Sequence, residues 1–195
     1  MIKSPIQKVT DELQSRAIGI VCGVYKPLDP NILNKGTITD LNGWVLDTVV
    51  LGKALPLIKK YIDLEKKYFW VVYPRNKSVD DLHLQIAGIW DPYNLNDDFE
   101  DNSKKPEELL NSISLKDNFF SIRGQLIFVK VSEKEVVLRI TSSKQNNHLK
   151  DKSFKIVIKG EIPMDCINKF VSLNIIRNGN NLLMDSFEVI ESNNK

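Results

Sequence analysis

Residues 119–171 carry ten lysines and arginines against five acids, a local positive excess in a protein whose net charge is only +2. Several of these cations alternate with apolar side chains. Arg123 follows Phe120 and Ile122, Arg139 lies between Leu138 and Ile140, and Lys155 and Lys159 flank Ile156 and Ile158. On a strand, residues that alternate with buried neighbours face outward. These four, with Lys144, Lys150 and Lys152 in the loop 141–153, therefore form a candidate surface for phosphate groups. A second cluster, KKYFWVVYPRNK at residues 66–77, interleaves rings with cations. Trp70 is assigned to the core. Tyr73 and Arg75 flank the rigid Pro74 at a strand end and are candidates for stacking and charge contact. Outward Lys and Arg also decorate any solvated surface. Strict alternation places Phe120, Phe128 and Phe154 inside, which leaves the basic face without a ring for a base to stack on.

Other chemistries lack their residues. His83 and His148 fall in different halves, and neither belongs to a His-Glu-x-x-His pattern. Cys22 and Cys166 form no Cys-x-x-Cys pair, so metal binding and redox exchange have no local geometry. No glycine-rich phosphate loop, dinucleotide fingerprint or Gly-x-Ser-x-Gly elbow occurs. The acid pairs Asp80-Asp81 and Asp97-Asp98 sit in polar stretches where water solvates them. No catalytic residue, metal or cofactor is expected, and the chain reads as a binding protein rather than an enzyme.

The elements that must hold the basic face follow from periodicity. A chain of 195 residues with 42% hydrophobic and 27% charged residues has globular composition. Its apolar runs fall short of the roughly 20 residues that span a bilayer. Residues 1–15 lack the apolar core of a secretory signal, and Asp11 and Glu12 oppose a transit peptide, so a cytoplasmic location without membrane partners is expected. Residues 91–108 hold seven acids and two prolines and read as a solvated linker. Before it, strand-like runs at 17–25, 36–39 and 44–51 precede a helical stripe at 54–67, followed by strands at 68–73 and 82–90. Asn42-Gly43 is a hairpin turn, since both residues tolerate positive φ. Trp44 and Trp90, at strand ends, are expected to seal the core. After the linker come runs at 119–130, 136–140 and 154–162, a turn-like connection at 163–168, and strands at 170–176 and 182–190.

Three strands, a helix or turn, then two strands resembles the OB-fold, a five-stranded Greek-key barrel. The resemblance implies a mainly β protein of two tandem small OB-like barrels, the first with a helix between strands 3 and 4. The boundaries are 1–16 for an N-terminal extension, 17–91 for the first barrel, 92–117 for the linker and 118–192 for the second barrel. In its residues, VVLGKALPLIKKYIDLEKKYFWVVYPR with FKIVIKG looks like a family shared by cyanobacteria and plastids, a likeness that implies no activity and no functional residues. The strand order together with the basic outer face of the second barrel points to a protein that holds single-stranded nucleic acid there, RNA in preference to DNA. The alternative is a protein-interaction or assembly module built on the same barrels.

Overall fold

The computed structural model describes residues 3–91, 106–142 and 152–191. The chain forms two compact units. Gly19–Pro74 and His83–Phe119, with the N-terminal residues up to Gln7, make the first; Lys8–Ile18, Arg75–Leu82 and the chain from Phe120 make the second.

In the first unit, β1 (Arg16–Asp29) serves two neighbours: its residues 19–23 pair with β4 (Tyr68–Arg75), and its residues 23–29 with β2 (Ile32–Asp40). Gly23 is the pivot, because a Cβ there would lie 2.4 Å from the carbonyl oxygen of Thr39. β2 turns at Asn42-Gly43, where Gly43 has φ +84°, into β3 (Val45–Val50). β3 runs parallel to β5 (His83–Trp90), and β5 lies beside β4, which closes a five-stranded ring. α1 (Leu55–Tyr61) connects the third strand to the fourth, as the OB resemblance implies. It is shorter than the apolar stripe predicts. Asp63 accepts the N–H of Glu65 on its carboxylate, a local turn that competes with another helical step.

Val21, Trp70 and Val72 share the inner face with Tyr25, Ile38, Leu46, Leu84 and Ile86, all buried. The Trp70 indole N–H donates to the Gly23 carbonyl at 2.9 Å, and its ring meets Tyr25 edge-on at 5.9 Å. Burial pushes the Tyr25 hydroxyl up to about 12. On the opposite face, Ile20 and Cys22 pair with Val71 and Phe69, and this second apolar layer is covered by Trp90 and Leu110. Leu110 belongs to α2 (Pro106–Ser112) and is only 2% exposed. The end of the stretch read as linker is therefore core: Leu110, Ile113 and Leu115 pack on the barrel, and the Asp117 carboxylate accepts the Cys22 N–H at 2.7 Å. Residues 92–105 lie outside the described residues. Trp90 is buried as expected, but Trp44 is 48% exposed. The Asp40 carboxylate takes the N–H groups of Asn42 and Trp44, at 2.9 Å each, and so holds the hairpin tip away from the core.

The second unit repeats the ring: β6 (Phe119–Lys130), β7 (Glu135–Ser142), β8 (Lys152–Lys159), β9 (Phe170–Asn178) and β10 (Asn181–Ile190). β6 lies beside β7 and β9, β7 beside β8, β8 pairs in parallel with β10, and β10 pairs with β9. Gly124 does for β6 what Gly23 does for β1: a Cβ would lie 2.4 Å from the Arg139 carbonyl oxygen. A 3-10 turn, Met164–Cys166, replaces the helix. Phe120, Ile122, Leu126, Leu138, Ile156, Ile158 and Leu173 fill the interior. Cys22 and Cys166 are buried thiols, not joined in a disulfide. Among the described residues no helix is long and apolar enough to cross a membrane, and no group of three His, Cys, Asp or Glu is arranged to hold a metal ion.

Candidate nucleic-acid interface

The outer face of β6, β7 and β8 is defined by register. Gln125 opposes Arg139, and Arg139 opposes Lys155, which sets one cross-strand row. The next row contains Val137 and Val157, and the third Lys130, Glu135 and Lys159. Rows are two residues apart, about 7 Å along a strand. Arg139 and Lys155 are exposed and Lys159 is half-buried. Arg139 Nη1 donates to Gln125 Oε1 at 3.4 Å. Among the described residues, none of Arg139, Lys155 and Lys159 has a carboxylate within 4 Å; the ion pairs of this face and its rim are Lys130–Glu133 at 2.5 Å and Lys134–Glu161 at 2.6 Å. The hydrogen bond to Glu133, then the charges of Glu133 and Glu135, hold Lys130 above the usual lysine range. Its charge is thus answered within the protein. The charges of Arg139 and Lys155, placed directly opposite one another, meet no carboxylate among the described residues.

Arg123 departs from expectation. It leaves the barrel interior, as alternation requires, but it is only 8% exposed. Its Nη1 donates to Ser172 Oγ at 2.9 Å, its Nη2 to the Glu12 carbonyl at 2.5 Å and its Nε to the Gln14 carbonyl at 3.4 Å. The Phe170 ring lies 5.7 Å from its guanidinium carbon. Residues of Lys8–Ile18 supply these carbonyls, and from the same segment Arg16 donates to Ser121 Oγ at 2.9 Å and 3.1 Å. Burial, then the neighbouring Arg123 charge, holds Arg16 below the usual guanidinium range. Charged groups buried this way must be fully hydrogen-bonded, so Arg123 is a fastening and not a contact surface.

Arg75 is likewise engaged. Its guanidinium carbon sits 3.7 Å from the centroid of the Phe154 ring, a cation–π stack that occupies one ring face. Next to it, Asn76 imitates a strand: Nδ2 donates to the Val157 carbonyl at 2.8 Å and Oδ1 accepts the Val157 N–H at 2.9 Å. The edge of β8 is satisfied at that residue. Tyr73 is half-buried on β4 in the first unit. Lys144 and Lys150 lie outside the described residues, as does the Lys152 side chain.

One side chain of this face escaped the reading by alternation. Leu126 opposes Leu138 in the interior, but a β-bulge follows, and Phe128 opposes Val137 on the outside. Phe128 is 52% exposed. Its one warning in the sequence is the run Leu126-Ile127-Phe128-Val129, four apolar residues that no two-residue period accommodates.

Two family models match the chain. The PatR RNA-binding protein, N-terminal OB-fold domain, matches residues 17–97, and the cyanobacterial OB-fold-like RNA-binding domain, C-terminal, matches residues 122–191. A comparison with curated proteins finds no match.

Proposed function

Because the chain belongs to the cyanobacterial PatR RNA-binding protein family, with its tandem OB-fold domains, we propose that it binds single-stranded RNA on the outer face of β6–β8. Arg139, Lys155 and Lys159 are the phosphate contacts, and no reaction is assigned. The observation that carries this reading is the opposed pair Arg139 and Lys155. Like charges directly opposite on a sheet destabilise it, and here no carboxylate among the described residues relieves them. A phosphate relieves both at once. Three contacts at roughly 0.7 each give a salt slope of about −2 for a single strand, so raising salt from about 50 to 200 mM weakens binding about twentyfold. An anisotropy titration with mixed-sequence RNA measures this. Salt-independent binding, or none at low salt, rejects the reading. The same oligonucleotides made as DNA test the RNA preference, which rests on the 2′-hydroxyl.

A protein partner is the second reading. It is favoured by exposed Val131 and Met164 beside a cleft of about 410 Å³ also lined by Lys134, Ile162 and Pro163. A partner retained after nuclease treatment and lost on Met164→Asp supports it.

A further inference from the structure

We propose that Phe128 is a stacking platform for a base of the bound strand, an inference that rests on the RNA-binding reading above. Three observations converge on it. The first is that its exposure is built by the backbone. The bulge between Leu126 and Phe128 turns the ring out of the core, while Leu126 before it and Val136 beyond it stay fully buried. A plain strand would have buried the ring; the extra residue puts half of it in water.

Position is the second. Phe128 opposes Val137, and Val137 opposes Val157, so ring and valines form the middle row of the face. Arg139 and Lys155 lie in the row to one side, and Lys159, opposite Glu135, in the row to the other, with rows about 7 Å apart along a strand. Cations flanking an exposed ring match a single strand, which presents phosphates on its backbone and bases beside them. A protein partner would gain from the apolar row alone and would leave the opposed Arg139 and Lys155 unanswered unless it were acidic. Charge therefore selects the nucleic acid.

The third observation is what the other phenylalanines do. Phe120 is fully buried, and Phe154 has a face covered by the Arg75 guanidinium. Among the described aromatic residues of β6, β7 and β8, Phe128 alone is more than half exposed. Stacking on one ring is tolerant of sequence, because every base has a π-face, but it requires an unstacked base. The platform thus favours single strands over duplexes.

Phe128→Ala, Phe128→Leu and Phe128→Trp in the full chain test this by anisotropy against single-stranded RNA at several salt concentrations. Expected is a roughly tenfold loss for both Ala and Leu and near wild-type affinity for Trp. The salt slope stays at the wild-type value, since no phosphate contact is removed. Thermal melts of the variants check that the barrel is intact. Phe128→Leu binding as tightly as wild type overturns the stack, because an apolar side chain would then suffice. A changed slope overturns it too. If the wild-type chain itself fails to bind, the RNA-binding reading falls and takes this one with it; wild-type binding with an unaffected Phe128→Ala defeats this inference alone.

Discussion

Arg123 and Arg139 share residue type, strand phase and predicted role, yet the structure separates them. Arg139 stands on an open face beside Lys155. Arg123 is roofed by the carbonyls of Glu12 and Gln14 and anchored to Ser172. Alternation tells which side of a sheet a residue leaves by; it does not tell what covers that side. The two variants should therefore fail differently. Arg139→Ala is expected to lower the RNA salt slope by about 0.7 with little change in melting. Arg123→Ala is expected to cost about 2 kcal/mol of stability, read by urea denaturation, because several protein acceptors lose a charged donor. Equal stabilities for the two variants would refute the division of labour.

At the scale of the element, β6 is decided by two local features, Gly124 and the bulge after Leu126. The glycine lets β7 approach so closely that a Cβ would touch the Arg139 carbonyl oxygen at 2.4 Å. Gly124→Ala must push β7 away, at a cost of about 1–3 kcal/mol in overpacking, and the displaced strand is the one that carries Arg139. Weaker RNA binding together with a lower melting temperature is the expected result; a variant as stable as wild type would mean that the strands yield without strain. Gly124 marks itself in the sequence, since it interrupts the apolar alternation of Phe120, Ile122 and Leu126. The bulge was not, because its effect depends on register with β7.

For the whole molecule, the compact units do not follow the chain in two blocks. Lys8–Ile18 and Arg75–Leu82 belong to the same unit as the second barrel. They supply the Glu12 and Gln14 carbonyls that accept from Arg123, the Arg75 stack on Phe154 and the Asn76 bonds to Val157. A fragment of residues 118–191 lacks all of these and leaves the Val157 N–H and carbonyl without their Asn76 partner. It should melt well below the full chain, or fail to unfold cooperatively, by circular dichroism. A fragment as stable as the full chain would show those segments to be dispensable.

The sequence by itself determined the strand order, the turn at Asn42-Gly43 and the sorting of Trp70, Leu138 and Ile156 to the interior. These follow from near neighbours along the chain, where side-chain period and backbone preference act over a few residues. Tertiary structure alone decided that Leu110 is core, that Arg123 is roofed, that Asn76 completes an edge and that Phe128 turns outward. Each depends on which distant segment comes to lie against a strand, or in what register. Burial and hydrogen-bond satisfaction of that kind are settled only when the chain has closed on itself.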